Sequence, residues 1–220
     1  MNKSYRNRKI MKKITLSPEL TREVEAIYQA MQEEYDKIAG KIELTCTGCP
    51  DNCCDSYFFH HTYSEWAYLW QGLEQLDKDT LEQVMTQAKE YIALCAEPLA
   101  QGKQPQVMCP LNSEGRCVLY QHRMLICRTH GIPATLKVHT GDTIRFPGCF
   151  RCQEIVNEKY AAANDAPFME RSRFLKQLAD VESRLFARKR HLYPKVKRTI
   201  AEMIVQGPPS VALPYCERER

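Results

Sequence analysis

The sequence predicts a mainly α fold: a helical bundle with one small β-hairpin, folded around loops crowded with cysteine. Three observations predict it. Apolar residues recur every three or four positions over several long stretches, the period of a helix face. Only nine glycines occur in 220 residues, which suits a mostly helical body. Nine of the eleven cysteines gather in three short turn-rich segments, Cys46 to Cys54, Cys109 to Cys127 and Cys149 to Cys152.

A chain of 220 residues is one domain or at most two small ones, and it can bury a core without covalent staples. The reading is a single domain over 14–207, with a disordered basic tail at 1–13 and a C-terminal tail at 208–220. The basic tail holds Lys3, Arg6, Arg8, Lys9, Lys12 and Lys13 before any acid. It has no apolar stretch of the kind a signal peptide needs. No run approaches the roughly 18 apolar residues of a membrane span. The expected setting is therefore the cytoplasm, where clustered cysteines bind metal or do redox chemistry more often than they form disulfides. The net charge of +4 implies no partner by itself. A second basic run, Arg184 to Arg198, would give nucleic acid a surface to bind.

The elements follow in order. Ser17-Pro18-Glu19 reads as an N-cap, a first-turn proline and a first-turn acid. Leu20, Val24, Ile27, Met31, Tyr35 and Ile38 continue as one stripe, and Gly40 is the expected stop. Thr62-x-x-Glu65 has the capping-box pattern and opens a helix through Trp66, Leu69, Trp70 and Leu73. Asp79-Thr80 opens the next, with Leu81, Val84, Ala88, Tyr91 and Cys95 on one face. Cys95 is read there as a small buried hydrophobe. Pro98 to Pro105 is a linker, and Val118 to Ile126 a short helix. Residues 134–146 alternate around Thr140-Gly-Asp-Thr as a hairpin does. Asp165 and Pro167 start a helix carrying Phe174, Leu178, Val181 and Leu185. Pro194 interrupts, and Ile200, Met203 and Ile204 lie on a last helix ending at Gly207.

The cysteine pattern carries the chemistry. Four thiolates converging on one soft cation, often from Cys-x₂-Cys knuckles, make a zinc or iron–sulfur site. Cys46-x₂-Cys49 and Cys149-x₂-Cys152 are such knuckles, and Cys49-Pro50 and Cys109-Pro110 place proline just after a thiol. Cys53-Cys54 is different. Adjacent side chains on an extended backbone diverge, so this pair is suited to feed two neighbouring centres. Four thiolates leave a site of roughly −2 charge, which Arg116, Arg123, Arg128 and Arg151 could offset. The full fold reading is thus a helical bundle around a cysteine-rich, loop-built metal site. An iron–sulfur cluster of the [4Fe–4S] type is the first expectation, with a redox or enzymatic role. Zn²⁺ in a structural module that contacts nucleic acid or a protein is the alternative.

Other chemistries fail on spacing. A radical-SAM motif would need cysteine where Ser56 stands, and neither a Gly-x-Gly loop nor a P-loop occurs. His60, His61 and His130 read as core or surface histidines.

The ordered set of Cys-x₂-Cys-x₃-Cys-Cys, Cys109-Pro-Leu, Gly115-x-Cys117-x-x-Tyr120-x-x-Arg123 and Cys127-Arg128 resembles the YkgJ-like cysteine-cluster family. That family is described as a zinc- or iron-chelating domain, and flagellin lysine N-methylases are related to it. The likeness spans roughly residues 46–152. The second gap here is one residue longer than the common Cys-x₂-Cys-x₂-Cys-Cys, and Met124 stands where proline often follows the arginine. The resemblance implies ligand roles for Cys46, Cys49, Cys53, Cys54, Cys109, Cys117 and Cys127. It implies roles around the cofactor for Tyr120, Arg123 and Arg128, and a protein lysine as methyl acceptor. Cys149 and Cys152 rest on spacing alone.

Overall fold

The computed structural model describes residues 11–47, 53–138 and 140–214. Residues 1–10, most of the expected basic tail, and the last residues with Cys216 lie outside that range, as does Cys49. The chain within it is mainly helical with small sheets, as expected.

Helix α1 (Pro18–Ile42) starts as the sequence dictates, with the Ser17 hydroxyl accepting the Leu20 N–H at 3.3 Å and proline in the first turn. It does not stop at Gly40. Ile42 is fully buried, and burying an isoleucine returns about 2–3 kcal/mol against about 1 kcal/mol for a helical glycine. The helix therefore ends at Glu43, in a left-handed conformation with φ 60°.

Helix α2 (Tyr63–Leu73) is buried on almost every side, as a helix apolar all round must be. It separates two cores. One gathers α1, α4 (Leu125–Thr129), α5 (Phe150–Lys159) and α6 (Arg171–Leu185). The other gathers α3 (Lys78–Ala100) and α7 (Ile200–Gln206) with Leu111, Leu119 and Met124. Ala67 and Tyr68 of α2 belong to the first, Trp66, Leu69 and Leu73 to the second. The expected Thr62/Glu65 box forms only in half. Thr62 caps the Glu65 N–H, but the Glu65 carboxyl group takes other donors.

Helix α3 begins two residues before the expected Asp79, at an Asp77 cap that accepts the Thr80 N–H at 2.9 Å. It also runs through Pro98, expected to open a linker. Proline holds a helical φ, so in a last turn it costs one ladder bond without breaking the helix. Cys95 is buried on α3, as expected. The short helix expected at Val118 to Ile126 splits into a 3₁₀ turn, Tyr120–His122, and α4.

The sheets are small. β4 (Ala134–Lys137) and β5 (Thr143–Phe146) form the expected hairpin, with Ala134 opposite Phe146. β6 (Met169–Glu170) adds in parallel beside β4. That strand overturns the expected helix start at Asp165 and Pro167. Met169 is fully buried and its N–H reaches the Pro133 carbonyl at 2.9 Å, so α6 begins only at Arg171. β2 (Asn112–Ser113) and β3 (Arg116–Cys117) make a second hairpin in the cysteine region. The last ribbon corrects the tails. β1 (Met11–Lys13) pairs antiparallel with β7 (Ser210–Ala212), because Ile14 and Val211 bury against the α3/α7 core. No helix among the described residues is long and apolar enough to cross a membrane.

Candidate metal centre

Cys54, Cys109, Cys117 and Cys127 arrive from four separate segments. Cys54 sits in a 3₁₀ turn, Cys109 follows α3, Cys117 lies on β3 and Cys127 within α4. Backbone bonds fasten them: the Cys109 N–H donates to the Cys54 carbonyl at 2.9 Å, and the Asn112 N–H donates to the Cys109 carbonyl at 2.9 Å. The β2–β3 hairpin sets Cys117 opposite Asn112. The Leu111 backbone favours the charged form of Cys109 and the Leu119 backbone that of Cys117. Each of these backbone groups lies two residues after its thiol, and a backbone N–H near a sulfur stabilises the thiolate.

Electrostatics tie the four together. Loss of water pushes Cys109 well above the ordinary thiol range, and Cys127, Cys117 and Cys54 add like charge. Burial also raises Cys117 and takes Cys127 up to about 12, with Cys117 and Cys54 reinforcing the rise. Cys54 goes the other way, to about 6, because the Cys53 thiol donates to it and Asn112 and Arg123 add support. Cys53, the donor of that bond, is raised accordingly. Asn112 Nδ2 is buried with no closed hydrogen bond, and the group beside it whose charged form it favours is the Cys54 sulfur.

A second set of thiols lies around Tyr35. Burial raises the Tyr35 phenol above its ordinary value, and Cys46, Cys149, Cys53 and Cys152 add to the rise. Cys149 stands at the N-cap position of α5 without a capping hydrogen bond, and Cys152 lies in the first turn, fully buried. Cys152 is pushed up to about 12 by burial and by Cys149. Two glycines allow the close approach. A Cβ on Gly148 (φ 87°) would fall 2.6 Å from the Gly131 carbonyl oxygen and 2.8 Å from the Cys152 sulfur. A Cβ on Gly131 (φ 117°) would fall 2.6 Å from the Tyr35 hydroxyl. No three His, Cys, Asp or Glu side chains among the described residues converge tightly enough to hold a metal ion. The thiols are gathered into neighbourhoods, not closed onto a point.

The other expected residues divide. The Arg123 guanidinium stacks 3.6 Å over the Tyr120 ring and favours the charged forms of Cys54, Cys117 and Cys127. Arg128 turns inward instead. It donates to the Arg123 and Gln121 carbonyls and lies 4.3 Å over Tyr28, so it braces the loop that carries Cys127. Tyr120 is half exposed and serves Arg123. Arg151 donates to the Thr47 carbonyl at 3.4 Å, beside the second set, while Arg116 is exposed. His60 is buried and His130 packs edge-on to Phe58. Within the C-terminal basic run, Arg184 pairs with Glu23 and Asp180 and Arg190 with buried Glu182.

Sequence reading missed Asn112, Tyr35 and the two glycines. Asn112 carried a signal, three residues after Cys109 at a tight turn. Tyr35 carried none, since it lies on an apolar helix stripe eleven residues before Cys46.

A scan against protein-family models, a search of curated proteins and a search of solved structures each returned no match.

Proposed function

We propose that this chain is a metal-binding protein that uses clustered cysteine thiolates, and that its resident group is an iron–sulfur cluster of the [4Fe–4S] type. The observation that carries the reading is the neighbourhood of Cys54, Cys109 and Cys117, fastened by the Cys109 N–H to Cys54 carbonyl bond and by the pairing of Cys117 with Asn112, with Cys127 of α4 adding to it electrostatically. Like-charged thiolates in a water-poor setting repel one another, so their common charged form calls for a cation. Asn112 and Arg123 fit the same demand, one as a buried donor and the other as a fixed positive charge. A bound cluster would supply one-electron transfer or a site for substrate activation. The chain's part is to hold the cysteines deprotonated, to donate hydrogen bonds to sulfur and to limit water around Cys109 and Cys127.

Zinc is the second reading, favoured by the β2–β3 hairpin that Cys109 and Cys117 flank, since tight turns bearing thiols also serve structural zinc sites. Anaerobic purification tests both. A brown protein absorbing near roughly 400 nm, with about four irons and four sulfides per cluster, supports iron–sulfur. A colourless protein with stoichiometric zinc supports the second reading, and a chain that takes up neither sinks both. Methyl transfer to a protein lysine is a further proposal, resting on the family resemblance alone. Protection of the chain by S-adenosylmethionine in thermal unfolding would support it, and no shift at saturation would count against it.

A further inference from the structure

We propose that the two chain segments paired at His60 and Arg198 form a binding surface for single-stranded RNA, with Tyr57 and Phe59 as stacking groups and Lys195, Lys197 and Arg198 as phosphate contacts. The proposal goes beyond the metal-binding reading and does not depend on it.

Backbone pairing brings these residues together. The segment before α2 runs antiparallel to the segment before α7. His60 and Arg198 exchange backbone hydrogen bonds at 2.7 and 3.1 Å, and the His61 ring Nδ1 lies 3.2 Å from the Val196 carbonyl oxygen. Side chains alternate along the first segment, as they do on an extended chain. Phe58 packs on His130 and His60 is buried, whereas Tyr57 meets Phe59 with ring centroids 5.2 Å apart and His61 is exposed. Both Tyr57 and Phe59 keep part of their surface open. On the second segment Val196 and Thr199 are buried, while Lys195, Lys197 and Arg198 are exposed. Lys197 Nζ stands 4.5 Å from the centre of the Phe59 ring, so a cation and an aromatic face meet across the two segments.

The charge of this surface has one sign. No acid occurs in the sequence between Arg184 and Arg198. Carboxylates that other elements bring close are engaged. Glu202 of α7, whose charge reaches Tyr57, accepts the Thr199 N–H at 2.7 Å. Glu182 of α6 accepts from Arg190 at 2.8 Å. Lysines beside open aromatic rings match a strand whose phosphates and unstacked bases alternate, and RNA is read by proteins mainly in such single-stranded loops and ends. A duplex hides the faces of its bases. An anionic membrane answers the lysines but gives the rings no planar partner.

The test is fluorescence anisotropy of the full chain with a labelled, unstructured RNA of about 12 nucleotides. Phe59→Leu should weaken binding about 5- to 100-fold and leave the slope of log affinity against log salt unchanged. Phe59→Tyr, which keeps a stacking face, should bind as the wild type does and separates lost stacking from lost folding. Lys195→Gln/Lys197→Gln should reduce the salt slope by roughly 1.4, two phosphate contacts at roughly 0.7 each. Lys37→Gln/Lys41→Gln removes the same charge from exposed positions on α1 and should bind as the wild type does. A wild type that does not bind the RNA overturns the proposal. So does equal weakening by the two lysine pairs, which would reduce the effect to net charge, or a Phe59→Leu variant of wild-type affinity. Equal affinity for the same sequence as a duplex or as single-stranded DNA overturns the choice of single-stranded RNA. Tighter binding to phosphatidylglycerol vesicles, insensitive to Phe59→Leu, assigns the surface to a membrane instead and overturns it as well.

Discussion

Glu65 is a buried carboxyl group held by three donors. The Tyr28 hydroxyl approaches at 3.0 Å, the Leu125 N–H at 2.8 Å and the Thr62 hydroxyl at 2.9 Å. It therefore joins α1, α2 and the start of α4, two residues before Cys127. Glu65→Leu leaves those donors without an acceptor and should cost about 2–4 kcal/mol. Urea unfolding measures this, and a loss below about 0.5 kcal/mol would mean that the donors find other partners. Asn112 is the counterpart on the sulfur side. Asn112→Ala removes a donor beside Cys54 and should weaken metal binding by roughly 10–100-fold without changing helix content. Competition against a chelator reads the affinity, and wild-type affinity would remove Asn112 from the centre. Capping by Ser17 was plain in the sequence because a cap is local. The role of Glu65 was not, because its donors lie 37 and 60 positions away.

His60 lies at the entry to α2, where it and Arg198 exchange backbone hydrogen bonds at 2.7 and 3.1 Å. Burial holds its imidazole down to about 4, with Glu65 opposing and His61 adding to the depression. The unfolded chain, titrating near 6.5, binds the extra proton first. Stability from the neutral ring is thus full above about pH 6.5 and declines as pH falls toward 4, by roughly 3 kcal/mol in all. His60→Gln should flatten that acid limb in denaturant unfolding measured at pH 7.5, 6 and 5. An unchanged slope would place the titration elsewhere. Helix α2 itself was legible by its apolar content, and its burial on both sides follows from having a core on each. The ends of α1 and α3 were misread. Gly40 and Pro98 are local stop signals, and at both sites the helix continues past them.

Across the molecule, the outer helices and the cysteine region draw stability from different sources. The α1/α6 and α3/α7 packings rest on apolar burial that needs no metal. The segments bearing Cys54, Cys109, Cys117 and Cys127 are short turns, a two-residue strand and a five-residue helix. In small zinc sites metal binding contributes on the order of 10–16 kcal/mol, so chelation should loosen residues 105–130 far more than the helices. Hydrogen exchange should show protection lost there and kept in α1 and α3. Cys117→Ser should lose metal, whereas Cys95→Ala, deep in the α3 face, should retain it in full. Equal metal loss in these two variants would erase the distinction between ligand and core cysteine.

By itself, the sequence determined the helical class, the main hairpin, the apolar stripes and the burial of Cys95. These follow from period and capping, which act within a few residues along the chain. Only the tertiary structure decided which thiols keep company, that Arg128 braces a loop while Arg123 faces sulfur, and that residues on either side of the expected domain pair as β1 and β7. Such outcomes depend on groups tens to hundreds of positions apart, brought together by burial of the faces between them, and spacing along a chain does not encode that proximity.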